Sequence, residues 1–451
     1  MSRATLLCVI LCVSLPVPLG LGAQSPSAAQ VPQQAGAEAT TLAELRAQLN
    51  ALRTEYDKRI KDLETRLEEL QIQMLRGAAE PQETVSAPPQ AAPAAYTPAA
   101  LNPAISVVGN FLGRIDDRKL FNESGSRIDN RFNLREVEID LRTAIDPYAD
   151  AVVIASLGSE NPGQYEASIE EGYANIRRLP FLEQPPLGLK LKIGRFRPAF
   201  GKVNILHTHD LPQSFRPLPV EEFLGEEGFV QNGASASFFL PMPLDEGSSL
   251  DATIEVLGGG GIAVSPDIEG RNAYLGHLRW FRTFRDTHSL ELGWSTYYGP
   301  AHHQAGVKLH GMDLSYRWKP LRQGEWKSFL FGGELMFARD ARPALADPAV
   351  AGAESGRRSP LGFTLFGQWQ FDRRKYAGVR YDSTDVLTDP SLERHSVTPY
   401  FSYYFSEFLR FRLNVEHRWS NLNLEARRSS VFGELNFVFG AHPPEPYWVN
   451  R

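Results

Sequence analysis

The stretch from Val397 to Gly440 limits the possible folds of this chain more than any other. Within it, Arg410, Arg412, Asn414, Glu416 and Arg418 alternate with Phe411, Leu413, Val415, His417 and Trp419. Successive strand residues point to opposite faces, so one face is charged and the other apolar but for one histidine. Val431 to Phe439 repeats the pattern. Strands of about ten residues, polar on one side and apolar on the other, are the signature of a barrel that closes inside a membrane. The expected fold class is therefore all-β, a transmembrane antiparallel barrel.

Composition agrees with that reading. The chain has 451 residues, with Lys+Arg 47 against Asp+Glu 53, so no nucleic acid or other strong polyelectrolyte is implied as a partner. A hydrophobic content of 42% looks soluble, but in a barrel only alternate residues need to face lipid. At the N-terminus, Arg3 precedes an apolar run from Leu6 to Leu19 and small residues up to Ala23. This reads as a signal peptide, residues 1–23. It is shorter than the roughly 20 residues of a spanning helix and contains Pro16 and Pro18. Both cysteines, Cys8 and Cys12, fall inside it, so the mature chain would have no disulfide, thiolate metal site or thiol chemistry.

Residues 24–40 read as a flexible lead. From 41 to 76 the period changes: Leu42, Leu49, Tyr56, Leu63 and Leu70 recur every seventh residue. Four to five heptads predict a short coiled coil, and with it an oligomer. Arg59 and Arg66 at core positions leave a lone amphipathic helix as the alternative. Residues 77–104 are Ala/Pro-rich and predict a linker.

From 105 to 440 about sixteen alternating segments can be counted. Glu136, Glu138, Asp140 and Arg142 share one face of theirs; Phe329, Phe331, Leu335 and Phe337 share one of another. Long connections such as 116–131, 199–228 and 340–359 alternate with short turns such as Asp146-Pro147-Tyr148, Arg373-Arg374 and Glu407-Phe408. Segregated loops and turns are what a membrane barrel requires. An even strand number places both ends of the barrel on the periplasmic side. A polar lumen implies water, hence a pore.

Residues 165–175 and 187–201 carry a resemblance. The second reads Leu-Gly-Leu-Lys-Leu-Lys-Ile-Gly-Arg-Phe-Arg-Pro-Ala-Phe-Gly. It is similar to the phosphate-selective porin O/P family, as is the order of signal peptide, coiled coil, linker and barrel. The resemblance implies a sixteen-stranded, trimeric outer-membrane channel passing small hydrophilic or anionic solutes. It also implies that Lys190, Lys192, Arg195 and Arg197 line the lumen; the alternation in 410–419 adds Arg410, Arg412 and Arg418 to the inward face. A bulge at Gly194 would turn both members of each pair inward. The chain departs from the family in its long loop 199–228, whose Glu221, Glu222, Glu226 and Glu227 would face basic strands if it formed a constriction. Rings of one sign set selectivity, so such a mixture argues against strict phosphate preference. It also departs in a tail, 441–451, that runs past the last strand.

Two further readings remain open. His207 and His209, two residues apart, could share a metal with a carboxylate, as in a zinc-related receptor; His302, His303 and His310 form a weaker group. Alternatively, the coiled coil could tether the membrane to a periplasmic layer. No nucleophile elbow, P-loop or HExxH occurs, so neither an enzyme nor a cofactor is expected.

Overall fold

The computed structural model describes residues 103–450 apart from 122–126, 129–131, 162–163, 180–184, 242–246, 260, 266–269, 301–305, 342–358, 390, 423–426 and 442–444, together with Thr54, Lys58 and Lys61. The signal peptide (1–23), flexible lead (24–40) and all but those three residues of the expected coiled coil (41–76) lie outside the described residues. So does the linker (77–104) up to residue 102. Residues 95–451 form one unit, which holds the barrel.

Sixteen antiparallel strands close on themselves. They are β1 (Ala104–Asp116), β4 (Phe132–Ala144), β5 (Ala149–Asn161), β6 (Gln164–Ile176), β7 (Lys190–Phe196), β8 (Gln231–Phe239), β9 (Ser248–Gly258) and β10 (Asn272–Phe284). Then follow β11 (His288–Gly299), β12 (Val307–Trp318), β13 (Ser328–Arg339), β14 (Leu361–Asp372), β15 (Lys375–Asp385), β16 (Glu393–Ser406), β17 (Leu409–Ser420) and β18 (Arg428–Gly440). A small hairpin, β2 (Leu120–Phe121) with β3 (Arg127–Ile128), lies in the first long connection. Closure joins β1 to β18 in unbroken register from Ser106↔Gly440 to Asp116↔Ser430, so the barrel itself has no free edge strand.

The alternation sorts side chains as the pattern requires. Arg410, Arg412, Asn414 and Glu416 are buried toward the lumen, while Leu413 and Val415 are exposed on the outer face. Ile139, Val153, Ile193, Leu292, Trp369 and Val379 continue that apolar outer surface around the wall. Its aromatic residues gather at both ends. Trp318 stacks on Trp369 at 5.8 Å and Phe284 on His288 at 5.1 Å, beside the short turns. His395 stacks on Trp419 at 5.5 Å and His310 on Phe337 at 5.0 Å, beside the long loops. An apolar belt between two aromatic girdles matches a bilayer.

The turns follow local chemistry. Arg285 and Asp286 both have positive φ, 53° and 52°, as a tight hairpin demands. Asp146 Oδ1 accepts the amides of Tyr148 and Ala149 at 2.8 and 2.9 Å. Of the stretch 187–201, which carries the resemblance, only Lys190–Phe196 is strand. Leu187 and Gly188 take left-handed φ of 54° and 66°, and Pro198 has no amide to pair.

Candidate functional site

The connection between β7 and β8, residues 197–230, does not extend into solvent. It folds into the lumen. Phe200, Val203, Leu206, Leu211, Val220, Phe223, Leu224 and Phe229 form an apolar core there with Tyr297, Leu309, Leu330 and Phe366 of the wall. Glu334 on β13 anchors the first turn, accepting the amides of Lys202 and Val203 at 2.6 and 2.7 Å. Ser295 Oγ accepts the Gly201 amide at 3.0 Å, and Glu255 accepts that of Ala199 at 3.1 Å. Gly201 has φ of 62°, and a Cβ there would lie 2.8 Å from the Glu334 carboxylate. Glycine is required at that point.

A short helix, α1 (Leu218–Leu224), follows Pro217 and ends at Gly225, with φ of 109°. It packs on β14, β15 and β16. Gly362 permits the approach, because a Cβ there would lie 2.9 Å from Pro219. Arg216 is buried behind the loop and donates to the carbonyls of Val203 and Leu206 at 3.2 and 2.7 Å. Burial, with Arg197 nearby, lowers its pKa to about 9.

Strands β15, β4, β17 and β18 grip the same loop. Arg380 donates to Gln213 Oε1 at 3.1 Å and to the Phe215 carbonyl at 2.7 Å. Arg135 donates to the Ser214 carbonyl at 2.5 Å, and Asn414 to Ser214 Oγ at 2.7 Å. Arg410, Arg412 and Asn436 all donate to the carbonyl of His209. The loop therefore bridges the lumen from β9 to β17, which face each other across the ring. A cavity of about 20 Å³ remains between it and the wall, beside Lys202, Gln213, Glu334 and Arg380. That is room for about one water molecule.

The C-terminal tail enters too. Trp448 is 1% and Asn450 4% exposed. Trp448 donates through Nε1 to the Asp210 carbonyl at 2.6 Å, which joins tail to loop. Gln368 donates to the Trp448 carbonyl at 2.9 Å, while Tyr376 and Gln370 both donate to the Asn450 carbonyl at 2.8 Å.

The basic residues singled out from sequence separate into groups. Lys192 points inward, 4.6 Å from the Tyr173 ring centroid. Arg197 is buried just past the strand end and pairs with Glu170 at 2.8 Å. Lys190 is exposed at the start of β7. The bulge expected at Gly194 is absent: β7 keeps register with both neighbours straight through it. Arg195 consequently shares the outward face of Ile193, with its Nε on the Ile169 carbonyl at 2.9 Å. Arg412 lies 3.6 Å from Glu434, and Arg418 pairs with Glu416 at 2.6 Å.

Of the four loop carboxylates, two reach basic strands. Glu221 lies 3.8 Å from Arg418, and Glu222 pairs with Arg394 at 3.1 Å. Burial raises the Glu221 pKa to about 7 against the pull of Arg418. Glu226 and Glu227 are exposed, and Glu227 meets Thr208 at 3.4 Å.

His207 and His209 are both buried in the lumen. His207 Nε2 lies 2.7 Å from Glu171, and its Nδ1 lies 3.0 Å from both Glu138 and Glu170. His209 Nδ1 lies 3.5 Å from the same Glu138 oxygen. A bulge assembles this group. Ile154 pairs with Glu171 and Ala155 with Ile169, so Glu170 is the extra residue on β6, and it turns inward beside Glu171. A second bulge makes Arg135 the extra residue on β4, between Glu136 and Leu134. Sequence reasoning missed both bulges and the role of Glu170 and Glu171. Two adjacent charges inside an otherwise alternating strand, Arg135-Glu136 and Glu170-Glu171, were their visible trace.

No family model matches this chain. An uncharacterized protein of Aquifex aeolicus is 27% identical over 351 residues, which cover 70% of each chain. Among solved structures, an anion-selective porin from Comamonas acidovorans is similar at 9% identity and a TM-score of 0.48, covering 75% of this chain and 99% of that one. The outer membrane channel DcaP of Acinetobacter baumannii is similar at 10% identity and 0.46, covering 75% and 96%. A loop-deleted OmpT, an outer membrane protein of Vibrio cholerae, is similar at 9% and 0.45, covering 75% and 99%. At such identities the likeness concerns the barrel fold alone.

The expectation that the chain is not an enzyme is corrected. The lumen brings together buried histidine and carboxylate groups that sequence spacing had left apart.

Proposed function

We propose that this chain is a passive channel of the bacterial outer membrane whose passage is narrowed by the loop 197–230. The observation that carries the reading is a closed barrel, apolar outside and polar inside, with that loop held across its lumen by Glu255 on β9 and Arg410 on β17, eight strands apart in the ring. Its partners would be outer-membrane lipid around the belt and small hydrophilic solutes within. A homotrimer, with residues 41–76 as a periplasmic coiled coil, fits the resemblance to porins.

The finer reading, phosphate preference, receives little support from the charge arrangement. Arg197, Lys202, Arg380, Arg412 and Arg418 each face a carboxylate: Glu170, Glu291, Asp382, Glu434 and Glu416. Paired charges cancel much of the field that a ring of one sign would set up. We therefore expect weak selectivity. Reversal potentials in planar bilayers under a KCl gradient should be small, and phosphate should not block the KCl current. A large anion potential with phosphate block would replace this reading with the phosphate-selective one.

A further inference from the structure

The group around His207 has more acceptors than its protons can serve. A neutral imidazole carries one N–H and an imidazolium two, one on each nitrogen. Nδ1 faces two carboxylate oxygens at 3.0 Å, Glu138 Oε2 and Glu170 Oε2. Only Glu170 lies in hydrogen-bonding geometry with it. Among the described residues, Glu138 Oε2 and His209 Nδ1 are buried with no hydrogen-bond partner, 3.5 Å apart. Glu138 is 2% and His209 7% exposed. Unsatisfied buried polar atoms in a native structure call for an explanation, an ion among them.

We propose that this cluster is a divalent transition-metal site, of the zinc class, that fastens the constriction loop to the barrel wall. The ligand atoms of Glu138, Glu170 and His207 all lie within 4.8 Å of one another, close enough to converge on one ion. His209, its ring stacked on His207 at 5.8 Å, stands beside Glu138 as the fourth donor. Mixed imidazole and carboxylate ligands suit zinc and its neighbours better than calcium or magnesium, which prefer all-oxygen shells.

The surroundings are those of a metal site as well. His207 turns its other nitrogen to Glu171 at 2.7 Å, the carboxylate–histidine arrangement that fixes a ligating ring. Arg197 holds Glu170 at 2.8 Å, which orients it. Two ligands come from strands β4 and β6 and two from the loop, so an ion here would join wall to loop. The reading is separate from conduction, because the site would bind metal whether or not the lumen passes solute.

The test uses the full chain folded in detergent, stripped with EDTA and titrated with ZnCl₂ by calorimetry. One zinc per chain is expected, with affinity falling at least about 10-fold, the usual loss on removing a ligating group or its support, in Glu138→Gln and in His209→Ala. His277→Ala, altering a wall histidine on Ser295, should bind as the parent does. Heat-modifiable gel migration establishes that each variant retains the barrel. Loading with Co²⁺ should give visible absorption bands that disappear in His207→Gln, which reports imidazole ligation directly. No stoichiometric zinc on the folded parent would overturn the proposal. Binding that persists undiminished in Glu138→Gln and His209→Ala would place the ion elsewhere and overturn it equally.

Discussion

Glu334 decides where the constriction loop goes. Its carboxylate accepts two consecutive loop amides, and no water-exposed loop would offer such a partner. Removing it leaves buried donors unsatisfied, at about 1–3 kcal/mol each. In Glu334→Ala the loop should loosen while the barrel persists, seen as larger, noisier current steps from protein of unchanged heat-modifiable migration. Glu221 works in the same direction through its proton. Its pKa is raised from 4.5 to about 7 by burial among Arg418, Glu416, Arg380 and Asp382. A carboxyl held above its free value contributes to docking fully below about pH 4.5 and loses that contribution as pH rises through about 7. Conductance should therefore rise between pH 6 and 8, and Glu221→Gln should abolish that step.

At the scale of elements, the strands were legible because their period is two and each residue reports its own face. Sixteen alternating segments between residues 105 and 440 became sixteen paired strands. The bulges were not legible as such, since one extra residue shifts parity only where partner strands are known. The loop could have been read further. Phe200, Val203, Leu206, Leu211, Val220, Phe223, Leu224 and Phe229 are too many apolar side chains for a solvated connection, and together they imply burial. The same holds for Trp448 in the tail. Its Nε1 closes onto the loop at the Asp210 carbonyl, so the tail braces the constriction. Truncation after residue 444 should enlarge single-channel conductance and lower the thermal midpoint by several degrees, as expected for losing a buried Trp worth about 3 kcal/mol. A truncated protein conducting exactly as the parent does would show that the tail carries no such load.

On the scale of the whole molecule, the apolar belt and its two aromatic girdles fix the barrel in a bilayer, and the inward loop fixes how much of the lumen is left. Weak charge selectivity and a narrow passage follow from the same arrangement, because Arg197, Lys202, Arg380, Arg410, Arg412 and Arg418 are engaged with carboxylates or with the loop. The most direct measurement is single-channel conductance in planar bilayers, comparing the full chain with a variant in which residues 203–224 are replaced by a short glycine-serine turn. The expected result is small discrete steps from the full chain and several-fold larger steps from the variant. Folded protein that gives no steps in either form would contradict a channel, and equal steps in both would contradict a constriction formed by this loop.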